Sequence, residues 1–128
     1  MRPSLFNDNK LRIAIAESEF ICGNRTRAAI LLALASSKRT AYSLSLKELS
    51  RKLKKKPSII LYHLKVLEEY DIVEVLKFSK SGKRRRVWGL NLGKRELLEL
   101  VLKKIAKLYP NLRPKLNLKR FLNDVKRI

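Results

Sequence analysis

The chain has 128 residues, 45% of them apolar, with 31 Lys and Arg against 11 Asp and Glu, a formal net charge of +20. That length suits one domain with appended helices, and so one-sided a charge makes the folded chain repel itself unless a polyanion accompanies it. The single cysteine, Cys22, excludes an internal disulfide and a cysteine-based metal site, and no stretch approaches the ~20 apolar residues of a membrane span.

The N-terminal residues show no apolar run followed by a small-residue cleavage site, so a soluble, cytoplasmic protein is expected. The lack of Gln and the abundance of Lys lean toward a thermophilic source, with seven Asn counting against it. In residues 1–22, Leu11, Ile13 and Ile15 alternate as in a strand. Leu11, Ile15 and Phe20 also suit one side of a helix capped by Asp8, and an N-terminal helical extension is the preferred reading.

In "GNRTRAAILLALASSK", Asn24 is a good N-cap, and Ala28, Leu31, Leu32 and Ala35 recur at helical spacing until Ser36–Ser37. "TAYSLS" reads as a short strand or extended link. Ser45 and Glu48 then form a capping box, in which each side chain satisfies the other residue's free backbone N–H. The spacing predicts a short helix over 46–54 with Leu46, Leu49 and Leu53 on one face. Pro57 cannot sit inside that helix but suits the start of the next, over 57–70. At ~100° per residue, Ile60, Leu64 and Leu67 face inward, Ser58, Tyr62, Lys65 and Glu69 face outward, and Ile59 and Leu61 lie on the flanks.

"DIVEVLKF" and "KRRRVWGLN" are two strands joined by the turn "SKSG", with Trp88 and Leu90 on one face. The tip "KSGKRRR" holds five basic residues in seven: Lys80, Lys83, Arg84, Arg85 and Arg86. A helix over 95–109 follows, striped by Leu97, Val101, Ile105 and Leu108, widened by Leu98 and Leu102, and ended by Pro110. Asn117 caps one more short helix.

This order of elements is the plan of a winged helix-turn-helix over residues 23–91: mainly α, with a small β-hairpin wing and additional N- and C-terminal helices. In that plan the second helix of the pair enters the major groove, N-terminal end leading, and the wing reaches phosphates or the minor groove. "RKLKKK", including Lys54, Lys55 and Lys56, and "KSGKRRR" would then flank the reading helix on one side.

The strings "GNRTRAAIL", "SLKELSRKL", "HLKVLEE" and "DIVEV" followed by a basic hairpin resemble the ArsR-type winged-helix regulators, especially archaeal ones, over about Gly23 to Asn91. The resemblance implies that Ser58, Ile59, Leu61, Tyr62 and Lys65 stand where members present base- and phosphate-contacting side chains, and that Lys83 to Arg86 form the wing. Members often have small polar residues where Ile59 and Leu61 stand. Apolar side chains touch thymine methyls but read no hydrogen-bond pattern, so Ser58, Tyr62 and Lys65 are the polar readers. Lys54 and Asp71 replace glycines of the family's pattern, at positions that call for a left-handed backbone.

Many such regulators sense metals through paired cysteines or Asp/His sets, but here the single Cys22 and single His63 are forty-one positions apart. A metal needs three or four ligands in reach, so no cofactor or metal is expected. His63 is expected at the edge of the core with a local hydrogen bond. Nothing in the sequence supports catalysis. The C-terminal segment 92–128 is expected to dimerise the protein through Leu97, Leu98, Val101, Leu102, Ile105 and Leu108, with the N-terminal helix joining it; the other reading is that this stripe completes one chain's core. The function expected is a homodimeric DNA-binding repressor reading double-stranded DNA at a palindromic site. The alternative is a sequence-tolerant architectural or RNA-binding basic protein.

Overall fold

A computed structural model describes residues 5–37, 42–80 and 83–126. Its described elements run α1 (Leu5–Cys22), α2 (Arg25–Ser36), β1 (Ser43–Leu44), α3 (Leu46–Leu53), α4 (Pro57–Glu69), β2 (Val73–Lys80), β3 (Lys83–Leu90), α5 (Arg95–Leu108) and α6 (Leu118–Lys126). The three strands form one antiparallel sheet in the order β1-β3-β2. Val75 pairs with Trp88, and the register carries out to Lys80 opposite Lys83. This is the mainly helical winged helix-turn-helix that the sequence predicts.

α2 is the centre of the molecule. Arg27 through Ala35 are all buried, as expected of a helix that is apolar all round. Asn24 starts it by accepting the Arg27 N–H on Oδ1 at 3.0 Å. α3 starts as predicted: the Glu48 N–H donates to Ser45 Oγ and the Ser45 N–H donates to Glu48 Oε1, both at 3.1 Å. α4 lays Ile60, Leu64 and Leu67 into the core at zero exposure, each worth on the order of 2 kcal/mol in transfer free energy.

Two helix ends use left-handed residues that are not glycine. Lys54 (φ 54°) closes α3, where the Lys55 N–H donates to Ser50 O. Asp71 (φ 59°) closes α4, where the Asp71 N–H reaches Glu68 O and the Ile72 N–H reaches Leu67 O. That bond pair satisfies carbonyls that a helix otherwise leaves orphaned. Both positions are those expected to turn left-handed. Tyr42 (φ 49°) is a third that the sequence did not signal.

The helical reading of the N-terminal extension holds, with two corrections. α1 begins at Leu5, so Asp8 lies within the helix instead of capping it. Leu11, Ile15 and Phe20 stay exposed, while Ser18, Ile21 and Cys22 are buried and Ala14 packs against the core. The reason is in the partner. α1 packs along α5, which brings bulky leucines of its own, and small residues at 14, 18 and 22 fall on one helical row that admits them. Cys22 Sγ lies 3.5 Å from Val101 O, and the Tyr109 hydroxyl donates to Cys22 O at 2.8 Å. Arg27 finishes α1 by donating to the carbonyls of Ile21 (3.3 Å) and Phe20 (2.8 Å) while stacking over the Phe20 ring at 4.6 Å.

The predicted α5 stripe is covered within the single chain. Leu97, Leu98, Val101, Leu102 and Ile105 are buried in the same cluster as α2 and α6, and Leu108 alone of the six is exposed, at 52%. As a free dimer face the stripe therefore shrinks to Leu108. Helix α6 begins as predicted, with the Arg120 N–H donating to Asn117 Oδ1 at 3.1 Å.

Candidate nucleic-acid interface

The side of α4 turned away from the core is an open surface. Ser58, Tyr62 and Lys65 are exposed, Ile59 is 42% exposed and Leu61 is half-buried. Tyr62 is the most open of the exposed large hydrophobic residues described, at 63%. Its ring meets His63 edge-on at 5.1 Å, which limits its orientation.

Charge is polarised along α4. Lys54, Lys55 and Lys56 are exposed immediately before its N-terminus, and Glu68 and Glu69 are exposed in its last turn. The helix dipole adds positive potential at the same N-terminal end. An anion is therefore drawn to the start of α4 and repelled from its end. Lys55 is held in place on its backbone: its N–H donates to Ser50 O and its carbonyl accepts from the Ser50 hydroxyl.

The wing is built from β2 and β3. Arg86 is exposed opposite Lys77, also exposed, in the paired register. The backbones of Lys80, Lys83, Arg84 and Arg85 belong to these strands, while their side chains, and Ser81 and Gly82 of the turn, lie outside the described residues. At its base the wing is tied to the end of α4. The Asn91 N–H donates to Ile72 O (2.9 Å) and its side-chain amide donates to Asp71 O (2.8 Å).

His63 is buried at the edge of the α4 core face, as expected, but the expected local hydrogen bond is missing at one nitrogen: Nδ1 has no partner. Burial first, and the nearby Arg27 guanidinium second, lower its pKa below the ordinary histidine value. It therefore stays neutral at physiological pH, where it packs instead of contributing charge. Burial pushes the Cys22 thiol up to about 11, against an opposing pull from Lys104 and Arg27, so it stays protonated and a poor nucleophile. Among the described residues, no group of three His, Cys, Asp or Glu side chains is placed to hold a metal ion, and no helix is long and apolar enough to cross a membrane.

Sequence reasoning did not join Arg25 and Arg113 to the basic residues around the turn. The fold brings both beside Lys52 and Lys55 around a single cleft. Arg25 and Arg113 lie far in sequence from the run that holds Lys52 and Lys55, and from each other, and no local pattern links the three segments.

Residues 23–75 match the family model described as a helix-turn-helix domain. Among solved structures, that of a protein with a GntR superfamily winged-helix-turn-helix domain from Halomicrobium mukohataei is similar over 96% of this chain and 87% of that one, at a TM-score of 0.53 and 20% identity. At that identity the likeness is one of fold. No curated protein matches the sequence.

Proposed function

We propose that the protein is a DNA-binding transcriptional regulator of the ArsR type, a homodimeric repressor that sets α4 in the major groove of a palindromic site and lays its wing on the backbone. One observation carries this reading: α4 buries one face completely and presents the other, with Ser58, Ile59, Tyr62 and Lys65, behind three exposed lysines and beside a basic hairpin. The helix-turn-helix family match and the winged-helix fold support the DNA-binding part of this reading.

In this reading Lys54, Lys55, Lys56 and the wing cations Lys80, Lys83, Arg84, Arg85 and Arg86 neutralise phosphates and fix the register. Tyr62, Ser58 and Lys65 read base edges, and Ile59 and Leu61 meet thymine methyls. Residues 23–91 form the reading domain, and the segments 1–22 and 92–128 carry the joint between copies. Two copies related by a two-fold axis would place two α4 helices one turn of duplex apart. Apolar side chains open for that joint are Leu11, Ile13 and Ile15 of α1 and Leu108 of α5.

The test is selection of duplex DNA from a random pool at about physiological salt, where non-specific contacts alone bind weakly. An enriched palindrome, with Tyr62→Ala blurring its sequence preference, is the expected result. Tight, salt-sensitive binding without any enriched motif would favour the sequence-tolerant architectural reading, to which the exposed Ile59 already lends weight, or RNA binding.

A further inference from the structure

The start of α2, the end of α3 with its turn, and the α5–α6 connection meet around a cleft of about 330 Å³. Arg25 and Thr26 come from the first, Lys52 and Lys55 from the second, Asn111 and Arg113 from the third. The four cations are exposed, and among the described residues no carboxylate lines the cleft. Elsewhere cations do find acids: Lys103 reaches Glu99 at 2.8 Å, and Lys104 reaches Glu19 at 3.6 Å. Four like charges converging on one hollow without a counter-charge call for an anion from outside. Two of them are guanidiniums, whose fork of donors matches phosphate oxygens. The Arg25 guanidinium lies over the Tyr109 ring at 5.8 Å from its centroid, which restricts where it points. The N-terminus of α2 adds its partial positive charge on the same side.

We propose that this cleft binds backbone phosphates of duplex DNA flanking the stretch read by α4, so that the C-terminal connection takes part in holding the nucleic acid. The proposal rests on the DNA-binding reading above and extends it to residues outside the helix-turn-helix and wing. Continuity identifies the occupant. Lys55 both lines the cleft and stands in the turn that leads into α4, so a backbone lying against that turn runs on into the cleft.

The test measures duplex binding by the full chain as a function of salt. Each phosphate neutralised contributes about 0.9 to the slope of log K against log salt. For Arg25→Gln with Arg113→Gln on a long duplex, the slope is expected to fall by roughly 1.8, two contacts at that increment. On a duplex trimmed to the stretch under α4, the same variant should bind like the original chain. Lys103→Gln with Lys119→Gln removes equal charge from exposed positions of α5 and α6, away from the cleft and from the apolar side chains named for the joint, and should leave the long-duplex slope unchanged. The single variant Lys52→Gln, expected to lose about 0.9, serves if the double variant melts early by circular dichroism. Equal losses in the two double variants would mean that only net charge matters, and would overturn the proposal. So would an unchanged slope in the cleft variants, above all if inorganic pyrophosphate stabilises the original chain but not the cleft variants, since the cleft would then serve a small phosphorylated ligand. A chain that binds no duplex at any salt would sink the DNA-binding reading itself, a result distinct from either of these.

Discussion

Helices α4 and α5 carry leucine and isoleucine at the same helical spacing, yet the molecule uses them differently. In α4 the inward stripe is narrow: Ile60, Leu64 and Leu67 are fully buried with His63 beside them, and the other side opens to solvent. In α5 the stripe is broad, five of its side chains are buried, and α1 packs along it. Stripe width thus reports how much of a helix is covered. It does not report whether the cover comes from the same chain or from another. The α3–α4 unit is also fixed by contacts between near neighbours in sequence, whereas the α1–α5 layer depends on residues some eighty positions apart, such as Cys22 with Val101 and Tyr109.

The strongest way to break this comparison is to remove a leucine from each helix. Leu64→Ala in α4 and Leu102→Ala in α5 should each lower the unfolding free energy by about 2–5 kcal/mol, read from urea denaturation. The two losses should respond alike to protein concentration, because both side chains are buried within one chain. If the Leu102→Ala loss alone grew on dilution, the α5 stripe would belong to an interface between copies.

A smaller effect is expected at the head of α3. Ser45→Ala removes one half of the capping box and should cost about 1 kcal/mol. A change within error would mean that α3 is held by its packing and not by its local signal. Lys54→Gly goes the other way. Relief of the left-handed strain, less the added freedom of the unfolded chain, should stabilise the fold by roughly 0.5–1 kcal/mol. The same variant should lower the salt slope of DNA binding by about 0.9, separating the residue's backbone cost from its charge.

The smallest effect concerns pH. The folded pKa of His63 lies below its unfolded value, so its contribution to stability is present above about pH 6.5, the unperturbed histidine pKa. It is lost as pH falls through the folded value, because the unfolded chain takes up the proton first. Urea midpoints at pH 7.5 and 5.5 should therefore differ, and His63→Gln should shrink the difference. An undiminished difference would assign the dependence to other groups.

Much of the helix-turn-helix region, and the start of α6, was legible because the instructions are local. Asn24, the Ser45–Glu48 pair, Pro57 and Asn117 each act within one helical turn, whereas the left-handed Lys54 and Asp71 were expected from the glycines that stand at their places in the family the chain resembles. The inward face of α1 was not legible. Its exposed Leu11 and Ile15 outweigh Ala14 and Ser18 on any hydrophobic reading, and only the leucines of α5 explain why the small residues turn in. Arg27 looked like one more cation of a basic chain, but it is spent on the carbonyls at the end of α1. The cleft was invisible for the same reason, since Arg25 and Arg113 join Lys52 and Lys55 only in the folded chain.

Asn91 gives one feature a mechanical meaning. By gripping the carbonyls of both Asp71 and Ile72, it welds the foot of the hairpin to the tail of α4. The two projecting parts then behave as the jaws of a caliper with a locked pivot. Such a tool is set to one gap, and prying it wider would first have to break two hydrogen bonds at the pivot.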